Sequence, residues 1–141
     1  MTIHLIKLCV GVVNIEQLLS WQSVKSFDYN GKVAVKHITR NFPKRGEELL
    51  DGGSLYWVIK GSVLARNKII GLDETFDPEG KRMCSIVLEV PSVLTEPKQH
   101  RPFQGWRYYT QDRVPSDIKA GGQYDDMSQE MLAELRELGL A

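Results

Sequence analysis

Gly53-Ser54-Leu55-Tyr56-Trp57-Val58-Ile59-Lys60-Gly61, continuing through Arg66 to Leu72, predicts a pair of strands around which the chain is organised. Strand side chains alternate between faces. Leu55, Trp57 and Ile59 therefore share one face, and Tyr56, Val58 and Lys60 the other. Apolar bulk on both faces predicts an inner strand, and Gly61 predicts the turn into a second one. Lys60, Arg66 and Lys68 set cations on or beside this core.

Upstream, residues 3–10 predict a first strand, with Ile3, Leu5, Lys7 and Cys9 on one face and His4, Ile6, Leu8 and Val10 on the other. Asn14, followed three residues later by Gln17, is a capping-box pattern and predicts a helix over 15–25. Asp28-Tyr29-Asn30-Gly31 reads as a turn and Val33 to Thr39 as a second strand. Pro43 is suited to open a short helix that continues through Glu47-Glu48-Leu49-Leu50 and stops at Gly52-Gly53. Downstream, 73–80 reads as an acidic, solvated hairpin end without the spacing of a calcium loop. Arg82 to Val90 predicts a strand with Cys84, Ile86 and Leu88 inward. Pro91, Pro97 and Pro102 predict a long extended loop over 91–102 that cannot be a central strand. Residues 103–110 predict a last strand, and Met127, Met131, Leu135 and Leu138 make the apolar stripe of an amphipathic helix over 125–141. The sum is one α+β domain over 1–141: a mixed, mainly antiparallel curled sheet, a half-barrel in outline, with two or three helices.

A chain of 141 residues buries about two-thirds of its unfolded surface and needs no staples. Cys9 and Cys84 read as reduced core thiols. No apolar run reaches the roughly 18 residues of a membrane span, and the first residues lack a charged leader with a cleavage site. The expectation is a cytoplasmic protein. Zero net charge hides an asymmetry: residues 117–141 hold six acids and two bases, which leaves sixteen bases against twelve acids before them. A basic body with an acidic tail points either to an anionic partner or to a tail that neutralises the basic face.

Catalytic motifs are sparse. There is no Gly-x-Ser-x-Gly, no glycine-rich phosphate loop ahead of a helix, and no close His or Cys pair of the kind zinc requires, so no cofactor and no metal are expected. His37-Ile38-Thr39 fits one His-x-Thr unit of the two-histidine phosphoesterases, but His4-Leu5-Ile6 and His100-Arg101-Pro102 both lack the hydroxyl, so the second unit is missing. Cations and rings are better represented: Arg40, Lys44 and Arg45, then Arg66 and Lys68, then Arg101, Phe103, Trp106, Arg107, Tyr108 and Tyr109. Arginine binds phosphate bidentately and aromatic faces stack on bases. The candidate ligand-binding residues are Arg40, Tyr56, Lys60, Arg66, Arg101, Trp106 and Arg107. The plainer reading makes the rings core and leaves the cations solvated or paired with the tail. Three functions follow as expectations. The first is a non-enzymatic module binding RNA or a nucleotide-like anion. The second is a small enzyme acting on a phosphate-bearing substrate through His37 or His100. The third is an interaction protein, dimerising through 103–109 or the terminal helix.

The segments Glu48-Leu49-Leu50-Asp51-Gly52-Gly53-Ser54-Leu55-Tyr56-Trp57-Val58-Ile59-Lys60-Gly61 and Phe103-Gln104-Gly105-Trp106-Arg107-Tyr108 resemble a bacterial family of small single-domain proteins, known as a domain of unknown function (number 1489). The resemblance spans nearly the whole chain, implies a cytoplasmic bacterial protein and brings no catalytic residues with it. Tyr56-Trp57-Val58-Ile59-Lys60 is also similar to the aromatic strand of PUA-like domains, including their ASCH and EVE relatives. That likeness implies a small curled sheet that binds RNA or modified bases, although the Gly-x-Lys-x-x-Glu-x-Arg unit of ASCH domains is absent.

Overall fold

The computed structural model describes residues 2–118. In chain order it contains β1 (Ile3–Leu8), α1 (Ile15–Lys25), β2 (Phe27–Tyr29), β3 (Lys32–Thr39), α2 (Gly46–Leu50), β4 (Ser54–Ile59), β5 (Ser62–Phe76), β6 (Arg82–Glu89), β7 (Val93–Gln99) and β8 (Trp106–Thr110). The strands form one mixed sheet in the order β2-β3-β6-β5-β4-β1-β8, with β7 also paired to β5. Only β1 and β4 run parallel, Leu5 opposite Leu55 and Leu8 opposite Val58. Among the described residues the sheet is not closed, and with eight strands to two helices the architecture is more sheet-dominated than an α+β label implies.

The quoted stretch behaves as its alternation requires. All six residues of β4 are buried, because α1 and the inner core cover one face while the segment after β8 covers the other. β5 carries the curl. Its first half pairs with β4 and β7 and its second half with β6. Register shifts at Trp57/Val58, Val63/Ala65 and Ile69/Gly71 each bend the ladder and strengthen its twist. Two-residue turns join β2 to β3 and β4 to β5. Asn30 and Gly31 have φ of 52° and 88°, and Lys60 and Gly61 have 50° and 81°, the positive pair that matches strand twist in tight hairpins.

The main core lies on the inner face. Leu5, Leu55, Trp57, Ile86 and Leu88 pack there, and α1 closes over them with Ile15 and Leu18. Asn14 caps α1 as its sequence predicts, its Oδ1 accepting from the Gln17 N–H at 2.9 Å. A buried polar knot crosses this core. Trp57 Nε1 and Gln22 Nε2 both donate to Asn67 Oδ1 at 3.0 Å, Asn67 Nδ2 donates to the Glu89 carbonyl at 3.0 Å, and Ser92 Oγ donates to Gln22 Oε1 at 2.6 Å. It ties α1, β4, β5 and the corner between β6 and β7. A smaller cluster on the outer face holds Ile6, Tyr56, Val58, Val63 and Tyr109, with Phe103 and Val114 against it.

Four expectations need correction. Residues 73–76 belong to β5, so the hairpin end starts later, at Asp77. The proline-marked segment contains a strand, β7, which lies at an edge. Pro97 falls where the register skips from Lys98 to Leu94, a place that asks no ladder N–H of it. The short helix begins at Gly46 rather than Pro43, and the first strand ends at Leu8. The helix expected over 125–141 lies outside the described residues.

Candidate functional site

Among the described residues, three cavities contain side chains singled out from the sequence. The first is a cleft of about 720 Å³ between the C-terminal end of β1, the end of β3 with its following loop, and β8. Lys7, Arg40, Lys44, Gln104, Trp106 and Tyr108 line it, together with Phe42 and the β3 terminus. Lys7 occupies the inner face of β1 because Ile3 and Leu5 do, four and two residues earlier. Its strand partners are Trp57 on β4 and Trp106 on β8, so the ammonium stem runs between two tryptophan-bearing strands. Burial pulls the Lys7 pKa below its usual range. Trp106 and Tyr108 are half-buried and meet edge to face, with ring centroids 5.2 Å apart. The Tyr108 hydroxyl accepts from the Arg45 N–H at 3.1 Å, which fixes the ring against the loop before α2. Among the described residues no carboxylate lines the cleft and no ion pair engages Lys7, Arg40 or Lys44.

The second place adjoins the first through Lys7. It is a pocket of about 430 Å³ walled by Cys9, Trp21, His37 and Trp57 as well as Lys7. His37 Nε2 is buried without a hydrogen-bond partner, and the imidazole stands edge to face with Trp57 at 5.3 Å between centroids. Burial, with Lys7 as a second cause, pulls the His37 pKa down to about 4, so the ring is neutral at pH 7. Burial likewise pushes the Cys9 thiol up to about 11, which keeps it protonated and makes it an apolar wall rather than a nucleophile.

The third place is on the outer face. His4, Tyr56, Arg66, Gln111 and Asp117 line a cavity of about 410 Å³. Its cation is already engaged: Arg66 Nε and Nη2 donate to the two Asp117 oxygens at 2.8 Å, and Nη1 donates to Ser54 Oγ at 2.9 Å. The Ser54 N–H donates to His4 Nδ1 at 2.9 Å, so His4 carries its proton on Nε2 and donates it to Gln111 Oε1 at 2.5 Å. Burial lowers the His4 pKa and that bond partly offsets the shift. Asp117 is the first acid of the acidic tail, and here it does neutralise part of the basic face. Nearby, the Tyr109 hydroxyl is buried without a partner, edge to face with Tyr56 at 5.4 Å.

Of the seven residues singled out from the sequence, Arg40 and Trp106 meet in the first cleft. Tyr56 and Arg66 line the outer cavity instead, Tyr56 being 4% exposed and Arg66 tied to Asp117. Lys60 stands at the hairpin tip. Arg101 is exposed beyond β7, and the Arg107 guanidinium lies 4.8 Å from the Phe103 ring centroid, on the opposite face of β8 from Trp106. The two histidines considered for acid–base work are also separate, because His100 packs beside Phe103 and Tyr109 on the outer face. Lys7 is absent from the seven. The signal for it was a lysine in register with Ile3 and Leu5, a charge written onto an apolar strand face.

Among the described residues, no group of three or more His, Cys, Asp or Glu could hold a metal ion. No helix among them is long and apolar enough to cross a membrane. Fold and cleft together define a sheet-rich domain with an open, cation-lined aromatic groove. The chain belongs to the family described as "Protein of unknown function (DUF1489)", whose profile matches residues 5–141. No curated protein and no solved structure matches it, so the likeness to PUA-like domains rests on the residues quoted for it alone.

Proposed function

We propose that this protein is a non-enzymatic binding module for a nucleotide-like anion, free or carried in RNA. The ligand sits in the cleft between β1, β3 and β8. One observation carries the reading: Lys7, Arg40 and Lys44 surround a groove that also presents Trp106 and Tyr108 and, among the described residues, has no carboxylate in its lining. Three cations in a concave site, none of them in an ion pair among the described residues, raise the local concentration of anions. Arg40 can take a phosphate bidentately, and the aromatic side chains in and beside the cleft offer ring faces to a base. The pull on Lys7 from burial is relieved when a phosphate enters, which couples binding to retention of its proton.

The test is a titration of the full chain with nucleoside monophosphates and a single-stranded RNA pool at two salt concentrations. Binding should weaken steeply with salt. Arg40→Ala combined with Lys44→Ala should lower the affinity and reduce the salt slope by about one for each phosphate contact removed. Arg101→Ala and Lys60→Ala, outside the cleft, should leave both unchanged. Absence of binding, or binding that ignores salt, would refute the proposal.

A further inference from the structure

We infer that the ligand of this cleft spans two cavities, its anionic group in the outer groove and an uncharged flat ring in the inner pocket beside Trp21, His37 and Trp57. This deepens the proposal above and rests on it. The class of ligand it defines is a nucleoside phosphate whose base is swallowed rather than laid on the surface.

Lys7 is the hinge of the argument, because it lines both cavities and so marks where they meet. An ammonium at that point suits the junction between a phosphate and the ring it carries. The inner pocket, about 430 Å³, lies within the range in which proteins bury small organic ligands. Among the described residues its lining holds no acid, and its thiol is protonated, so it does not favour a second charge. Its back wall is rigid. Trp57 is 2% exposed and its indole N–H is held by Asn67, which is itself fixed by Gln22 and Glu89. Trp21, half-buried on α1, supplies a second indole to the lining.

His37 gives the pocket its specificity. A polar atom buried without a partner is destabilising and calls for an explanation. His37 Nε2 is one of two such side-chain atoms among the described residues, and His37 lines this pocket. A neutral imidazole presents one donor and one acceptor. Turning the ring within the pocket offers either to the edge of a bound base, and the bond so formed removes the unsatisfied group. A charged histidine would instead attract the phosphate inward, and its depressed protonation argues against that arrangement.

The experiment is calorimetric titration of the full chain with three probes: the four nucleoside 5′-monophosphates, ribose 5-phosphate, and a short single-stranded RNA. Nucleotides should bind at least about tenfold more tightly than ribose 5-phosphate, one decade being about 1.4 kcal/mol. Trp21→Ala should erase that gain and leave ribose 5-phosphate unaffected. His37→Phe should erase any preference among the four bases. In the unaltered protein, nucleotides should shift the His37 ring resonances and ribose 5-phosphate should not, a readout that survives if the Trp21 variant fails to fold. An oligonucleotide that binds no better than a mononucleotide marks the ligand as free, and one that binds better marks it as a base extruded from a strand; both outcomes keep the inference. Equal affinity for nucleotides and ribose 5-phosphate overturns it and leaves the anion cleft standing. So does a gain that vanishes in Trp106→Ala while Trp21→Ala keeps it, since the ring would then lie in the outer groove. No binding by any probe overturns both readings.

Discussion

Replacing His37 with glutamine should change how the protein responds to acid, and the size of the change can be worked out. In the folded chain burial, then Lys7, brings the His37 pKa down to about 4 from 6.5. The folded value is the depressed one, so the unfolded state takes up a proton first as pH falls. The stabilisation from a neutral, buried ring is therefore fully present above about pH 6.5 and is lost progressively as pH falls toward 4. Between pH 7.5 and pH 5 the linkage relation gives a loss of about 2 kcal/mol. Such a loss is a large fraction of the stability of a domain this size. Urea unfolding of both proteins across that range measures it. His4, whose pKa is also lowered by burial, titrates in both and cancels in the difference. The gap in unfolding free energy between the parent and His37→Gln should shrink by about 2 kcal/mol from pH 7.5 to pH 5. A gap that stays constant, or a His37 resonance that titrates near 6.5, would refute the buried neutral ring and with it the role given to His37.

Further predictions concern the frame of the site. Asp117→Asn should release the segment after β8: hydrogen exchange should accelerate at the Ile118 N–H, which donates to the Leu94 carbonyl, and at the Glu96 N–H, which donates to Ser116. The bidentate pair is partly exposed, so its loss should cost only about 1 kcal/mol by chemical unfolding. Gly53→Ala should be far more damaging, because its new methyl would stand 2.5 Å from the Leu49 carbonyl oxygen and as close to that of Ile3, both backbone atoms. A loss of about 3 kcal/mol or more is expected in thermal or urea melts, against a small effect for Lys60→Gly at an exposed turn with positive φ. Trp57→Phe should cost about 2 kcal/mol, since it removes the indole donor that Asn67 accepts inside the core, and it should also loosen the inner pocket.

Much of this frame was legible from the chain. Helix α1 could be placed from Asn14, Gln17 and the apolar spacing of Ile15, Leu18 and Gln22, because capping and periodicity are local. The same locality exposed β4 through its two apolar faces, and the Asn30-Gly31 hairpin through its positive φ. What failed was non-local. No rule of spacing says that β5 runs on to Phe76, since its second half is held by β6 rather than by its own residues. The strand in the proline-marked segment escaped notice because Pro97 is excused by a register skip that only the partner strand defines. The candidate site divided for the same reason. Arg40 and Trp106 converge because β3 ends and β8 begins on the same side, while Tyr56 and Arg66 alternate onto the opposite face with Ser54. A count of cations and rings along the chain cannot distinguish these two faces; strand parity, which set Lys7 beside Leu5, does.

Side-chain resonances followed during titration with a nucleoside monophosphate test the central claim most directly. The account predicts that Lys7 Nζ and the Trp106 and Trp21 indole N–H groups shift together and saturably, while Tyr56, Arg66 and His4 on the outer face do not. Shifts confined to the outer face, or no shift at Lys7, would contradict it.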